Sequence, residues 1–165
     1  MKRIIIGLTA LMSSIMVHAQ MAVDVHTHII LSEYKELLRR HGAELEETFP
    51  LPEWEAENHI SFMDSAGIGC AVLTMPAPQP YYGDGVESAA CIRHVNEVVA
   101  ETKEKHPGRF LFCAALPLPD VDAAIREAIY ALGTLRADGI KLATNSRGQY
   151  LGDPELDPLM EVLNE

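Results

Sequence analysis

No apolar run in this chain reaches the roughly 18 residues a helix needs to cross a bilayer. The longest, Ile4 to Val17, is fourteen residues, and no later segment is long and apolar enough to stop transfer across a membrane. Positive charge is scarce: 13 Lys and Arg stand against 24 Asp and Glu, for a formal charge of −11. Such a surface repels nucleic-acid phosphates and anionic lipid headgroups, so neither is expected as a partner. Cysteine is also sparse. Cys70, Cys91 and Cys113 are far apart and form no C-x-x-C pair, which excludes a zinc knuckle or a dithiol redox motif and leaves buried thiols as the expectation. No Gly-rich phosphate loop follows the first apolar strand, which removes the usual purpose of a flavodoxin-like domain. Low-complexity tracts and internal repeats are missing too. What remains is a chain of 165 residues, 48% hydrophobic, suited to one globular domain or to a piece of a larger one.

The first residues read separately. Lys2 and Arg3 give a basic start, the apolar run follows, and Val17-His18-Ala19 places small residues at the −3 and −1 positions of a cleavage site. A signal peptide over residues 1–19 is expected, with an exported, periplasmic or secreted mature chain starting near Gln20 and no membrane attachment after cleavage. A start at Met21 is the alternative and would make the protein cytoplasmic.

Beyond the leader, apolar runs of strand length alternate with segments of helical period, the mark of βα units around a parallel sheet. Strands are expected at Ala22 to Ile29, Cys70 to Met75, Phe110 to Ala115 and Gly139 to Ala143. Trp54, Ile60 and Met63 mark a first helix, Ile92, Val95, Val98 and Val99 a second, and Ile125, Ile129 and Leu132 a third. His106-Pro107-Gly108 should end the second helix and Asp120 should cap the third. The segment Leu31 to Pro52, with an acidic stretch at Glu44 to Glu47, reads as an insertion in the first unit. Pro154 to Glu165 reads as the opening of a fourth helix. The fold class expected is α/β, of the (β/α)8 TIM-barrel type, truncated to about the first four βα units, because a whole barrel takes about 250 residues. Marginal stability and self-association through open sheet edges are expected of such a half.

The sharpest local signal is Asp24-Val25-His26-Thr27-His28 at the end of the first strand. A two-residue period would put Asp24, His26 and His28 on one face. Imidazole nitrogens bind zinc or a similar divalent ion, and Asp24 would hold an imidazole tautomer or steady the strand. The C-terminal end of a strand is where parallel barrels keep their chemistry.

The opening "VDVHTHI", followed by "FMDSAGIGCAVLTMPAP", "VNEVVAETKEKHPGRFLFCAALPLPD", "ALGTLRADGIKLATN" and "YLGDPELDPLMEVLNE", resembles the amidohydrolase superfamily. The resemblance runs from about Val23 to the last residue. It narrows to the amidohydrolase-related group that includes aminocarboxymuconate-semialdehyde, salicylate and resorcylate decarboxylases. It implies that His26 and His28 are metal ligands, with zinc the expected ion. It also implies a further His beyond the fifth barrel strand and an Asp beyond the eighth, regions that this sequence does not contain. The activity implied is a metal-dependent carboxy-lyase or a hydrolase acting on a small carboxylic acid. The alternatives are a TatD-like or phosphoesterase-type metal hydrolase, and a catalytically inactive remnant.

Two further positions invite a role. Lys141 lies where some relatives carry a carbamylated lysine, but its place near the start of the expected fourth strand favours a paired structural lysine. Arg147, with Asn145 beside it, lies in the loop after that strand. There a guanidinium would grip a substrate carboxylate, or else serve as an ordinary surface arginine. Tyr81-Tyr82-Gly83 would wall a pocket or pack locally. His41, His59 and His94 read as exposed or packing histidines.

Overall fold

The computed structural model describes residues 21–43, 45–46 and 49–165. The leader expected at residues 1–19 lies outside the described residues, as does part of the acidic stretch. Among the described residues no helix is long and apolar enough to cross a membrane.

Four strands, β1 (Ala22–His28), β4 (Ile68–Thr74), β5 (Phe110–Ala115) and β6 (Gly139–Lys141), form one parallel sheet in the order β1-β4-β5-β6. Between β1 and β4 come helix α1 (Ser32–Arg40), a minimal antiparallel pair β2 (Leu45–Glu46) and β3 (Phe49–Pro50), and helix α2 (Ala56–Ala66). Helix α3 (Gly85–Lys105) joins β4 to β5, and α4 (Val121–Gly133) joins β5 to β6. A second small hairpin, β7 (Asn145–Ser146) with β8 (Gln149–Tyr150), follows β6, and a 3-10 turn at Pro154–Leu156 leads into α5 (Asp157–Leu163).

All four expected strands lie within two residues of their expected ends; the fourth is cut to three residues, stopping at Lys141 rather than Ala143. The segment Leu31 to Pro52 is not simply an insertion. Residues Tyr34, Leu37 and Leu38 recur at helical spacing, and all three are buried in the main core. The Tyr34 hydroxyl donates to the carbonyl of Pro78 at 2.7 Å and ties α1 to the loop after β4. Glu33 in the first turn and Arg39 and Arg40 in the last turn complement the helix dipole.

Helices cover one face of the sheet. Ala71 and Leu73 of β4 and Phe110, Phe112 and Ala114 of β5 are buried against them, while the alternate residues Cys70, Val72, Leu111 and Cys113 are half-buried or exposed on the other face. The cysteines are therefore free and half-buried, not fully buried as expected, because two of them face away from the helices. Burial and the Glu87 charge push the Cys91 thiol up to about 11, so it is inert at neutral pH.

Helix α4 also differs from its sequence reading. Ile129 and Leu132 are exposed, and the buried face is Ala123, Ala124, Ala128 and Ala131 with Glu127. Ala124 and Ala128 pack against Leu116, Leu118, Leu156 and Leu159, and a polar network joins α4 to α3. Asn96 of α3 donates to the Ala115 carbonyl at 3.0 Å and to Glu127 at 2.8 Å, while its own oxygen accepts the Ala115 N–H at 3.0 Å. Arg93 donates to the other Glu127 oxygen at 2.7 Å and stacks 3.7 Å over the Tyr130 ring. The last residue of β5 is thus pinned by side-chain bonds as well as by its pairing with Lys141. The capping side chains are as expected: Asp120 accepts from Ala123 N–H at 2.9 Å to open α4, and α3 ends at His106.

Removing Asn96 strands a buried carboxylate oxygen and two backbone groups at once. Asn96→Ala is expected to lower unfolding stability by about 2–4 kcal/mol, read as a fall in the urea midpoint with an unchanged slope.

Candidate metal centre

The end of β1 does not keep a simple two-residue period. Asp24 pairs with Ala71 and Thr27 with Leu73, so three steps on β1 match two on β4, and a bulge lies at Val25 and His26. Partnered residues on parallel strands point the same way. Asp24 and Thr27 therefore share the helix side with Ala71 and Leu73, while His28 shares the open face with Thr74. The expectation that Asp24 lies on the same face as both imidazoles is corrected by this register shift. On the helix side the Asp24 charge acts on His59: burial pushes the His59 pKa down, and the carboxylate offsets part of that. Asp24 still steadies the strand, because its Oδ1 accepts the backbone N–H of His26 at 3.0 Å.

The bulge brings the two imidazoles together. Their ring centroids are 5.1 Å apart with planes at 78°. Two imidazoles sharing one ion at about 2.1 Å, at a near-tetrahedral angle, would hold their centroids roughly 5 Å apart. Both residues are exposed, in a place a cation can reach. The Thr74 hydroxyl donates to the Thr27 carbonyl at 2.9 Å and lies 2.7 Å from His28 Nδ1. That arrangement favours a proton on Nδ1, which leaves Nε2 to ligate an ion. The donor set thus fits two positions around a divalent ion. It does not complete the three or four protein ligands such ions take, since among the described residues no cluster of three or more His, Cys, Asp or Glu could hold a metal.

Lys141 is the last residue of its three-residue strand, not a residue near the start of a longer one. Its partner in the ladder is Ala115. No carboxylate pairs with it among the described residues, contrary to the expected paired lysine, and burial alone holds its pKa below the ordinary value. Arg147 is at the tip of the β7–β8 hairpin with φ of 56°. It donates to the Tyr81 carbonyl and lies 5.7 Å and 5.8 Å from the Tyr81 and Tyr82 ring centres. The Tyr81-Tyr82 loop and the hairpin are therefore joined through Arg147. His41 is no idle surface residue: it stacks on Tyr82 at 4.4 Å and bonds Glu87 at 2.8 Å. His59 takes a hydrogen bond from the Trp54 indole at 3.0 Å, and His94 is 3.6 Å from Glu33. Thr74 was not singled out from the sequence, though its place as the last residue of the neighbouring strand makes it the natural partner of a strand-end histidine.

Parallel βα units with ligand-type side chains at a strand's C-terminal end define the class as a (β/α)-barrel protein with a strand-end site. The chain belongs to the amidohydrolase family, whose model matches residues 23–165. Among curated relatives, a decarboxylase of Aspergillus niger is 41% identical over 149 residues, covering 86% of this chain and 40% of that protein. The 6-methylsalicylic acid decarboxylase of Penicillium expansum is 30% identical over 146 residues, 86% of this chain and 45% of the relative. A crystal structure of amidohydrolase II superposes with a TM-score of 0.82 at 30% identity, covering 86% of this chain and 46% of that one. A dihydroxybenzoic acid decarboxylase of Polaromonas, solved with manganese and an inhibitor, matches at a TM-score of 0.66 and 21% identity, with coverage of 85% and 45%. The chain thus spans less than half the length of these relatives, and its four-stranded sheet corresponds to part of an amidohydrolase-type TIM barrel.

Two outcomes follow. In Thr74→Val the bond that fixes His28 is gone, and nitrogen-15 chemical shifts of that ring should show the proton redistributing from Nδ1 to Nε2. For Lys141 the sign is set by its lowered pKa: between that value and the ordinary one the unfolded chain holds more protons, so stability rises with pH. Lys141→Met should therefore be more stable than wild type at pH 7, with the gap closing toward about pH 10.4, the ordinary lysine value.

Proposed function

We propose that these residues form the first metal-ligating part of a divalent-metal-dependent, non-oxidative decarboxylase acting on a small aromatic carboxylic acid. The observation that carries the reading is the His26–His28 pair at 5.1 Å, with His28 Nδ1 bonded to the Thr74 hydroxyl at 2.7 Å. Likeness to two decarboxylases at 41% and 30% identity supports the reaction class. A divalent ion at this place supplies a fixed positive charge that orients the acid and stabilises negative charge developing on it. His26 and His28 are the residues that would hold the ion. Thr74 keeps the His28 lone pair outward, and Asp24 holds the backbone at His26, so neither ring must reorient when it binds.

Imidazole donors suit zinc, and zinc is the ion we propose; the manganese of the Polaromonas protein is the competing choice. We also propose that the protein is exported, on the basic start, apolar run and Val17-His18-Ala19 site. The charge of −11 supports a small-molecule partner over nucleic acid or an anionic membrane surface. Self-association is supported by exposed Val23 and Val25 on the edge strand β1, at 54% and 73% exposure.

Metal analysis by plasma mass spectrometry tests the site. Near-stoichiometric zinc in the purified chain, lost in His26→Ala/His28→Ala, is the expected result. A metal content unchanged in the double variant would sink the assignment, and stoichiometric manganese would correct the ion.

A further inference from the structure

The two faces of the four-stranded sheet differ in exposure. Under the helices, Ala71, Leu73, Phe110 and Phe112 are at most 1% exposed. On the opposite face Val23 is 54% and Leu111 38% exposed, and Cys70, Val72 and Cys113 are half-buried. These five positions are apolar and include no acid, in a chain with 24 Asp and Glu. An apolar face left open in so acidic a chain marks a surface that something covers. The sheet is open at its sides as well: among the described residues β1 pairs only with β4, and β6 only with β5. Unpaired edges and an uncovered face are both removed when a sheet closes into a barrel.

Strand direction names the occupant. All four strands run parallel in the order β1-β4-β5-β6, and a parallel barrel of this kind closes at eight. A two-fold rotation about the barrel axis keeps strand direction. It sets β6 of one copy beside β1 of a second copy, parallel, and does so at both seams. Four strands and four strands complete the ring with no edge left over. The same rotation acts on the strand ends, where β1 and the second copy's β1 become the first and fifth strands and lie opposite each other. Eight strands about 4.8 Å apart, tilted by about 36°, make a ring roughly 15 Å across. An imidazole with its metal bond spans roughly 6 to 7 Å, so rings from opposite strands meet near the axis. Each copy alone offers the His26–His28 pair and, among its described residues, no cluster of three ligands that could hold a metal.

We propose that two copies of this chain close face to face into one eight-stranded barrel, and that the imidazoles of both His26–His28 pairs share one ion on the two-fold axis. The pairing rests on the open sheet alone, while the shared ion rests on the metal reading above. Four imidazoles fill the coordination of a tetrahedral ion, so the zinc content expected above is counted per pair of chains. Metal and pairing are thereby linked, since an ion that both copies hold tightens their association. Closure also separates this pairing from association through the β1 edge by itself, which would leave Leu111 uncovered.

The test is the mass of the purified chain in solution, by sedimentation at micromolar concentration, with zinc and with EDTA. A dimer and nothing larger is expected, with about one zinc per two chains and a dissociation constant raised about tenfold or more by EDTA. Leu111→Lys puts a charge on the open face, which a single copy leaves in water; it should give a monomer with an unchanged circular dichroism spectrum. Val23→Lys should do the same at the edge. Cys70 and Cys113 should be alkylated more slowly in the wild-type dimer than in the Leu111→Lys variant. In His26→Ala/His28→Ala the dimer should persist and no longer respond to zinc. A wild-type monomer carrying one zinc per chain would overturn the pairing and leave the metal reading intact. Open-ended oligomers, or a dimer indifferent to Leu111→Lys, would overturn the closure. A dimer that takes up no zinc would overturn the shared ion together with the metal reading.

Discussion

The pairing of β1 with β4 is the constraint on which the site depends. A parallel ladder fixes which residues stand side by side, and here it sets Thr74 against His28, where one hydroxyl serves two strands. It donates to the Thr27 carbonyl and accepts from the His28 ring. A hydroxyl that donates to a carbonyl is left to accept, so the sheet's own geometry favours a His28 ring protonated at Nδ1. The bulge at Val25 and His26 belongs to the same ladder. Without it the strand would keep its two-residue period and Asp24 would share a face with the imidazoles. With it, Asp24 turns to the helix side and acts through the backbone of His26.

The helix side explains why such a sheet can hold its strand ends in place. Asn96 closes a pair of hydrogen bonds on Ala115, and Glu127 and Arg93 complete the charge and hydrogen-bond demand of a group that is 96% buried. A buried carboxylate is costly unless paired, so the network is all or nothing. Its location is apt. Ala115 ends β5 and pairs with Lys141, so the network sets the register of β6 and, through it, the take-off of the β7–β8 hairpin that carries Arg147.

Much of this was legible in the sequence, for physical reasons that also mark where legibility stops. Strands covered by helices are short apolar runs, and four of them could be read directly. The H-x-H signal was readable because strand ends in parallel barrels are functional positions. The helix at Ser32–Arg40 was equally available in Tyr34, Leu37 and Leu38, but a single apolar triplet among charges is easily taken for a loop. The face of Asp24 was not available, since a bulge is decided by the partner strand and leaves no local mark. Nor was the true buried face of α4, where alanines do the packing and the larger Ile129 and Leu132 point outward. Conspicuous apolar residues mislead wherever helices approach closely enough to need small ones. Arg147 was visible, but its contact with Tyr81 and Tyr82 was not, since only the fold brings the β7–β8 hairpin against the loop after β4.

An acidic chain proposed to act on an acid faces an electrostatic problem, and the positions of its cations bear on it. At −11 the average field repels an approaching carboxylate, so binding has to come from local charge in places where water is thin. Most basic side chains here are spent elsewhere: Arg39 and Arg40 pair with Glu36 and Glu87, Arg93 with Glu127, Lys103 with Asp138 and Arg109 with Asp64. Arg126, Arg136, Lys141 and Arg147 are different: among the described residues none of the four pairs with a carboxylate, and Lys141 and Arg147 follow the C-terminal end of β5 in the same run of chain. Lys141 is partly desolvated on the open face, and Arg147 is at the mouth of a cleft without acids. Cations left without a carboxylate partner in a chain with eleven excess negative charges give an anion local points of attraction, and a metal held by the imidazole pair would add another.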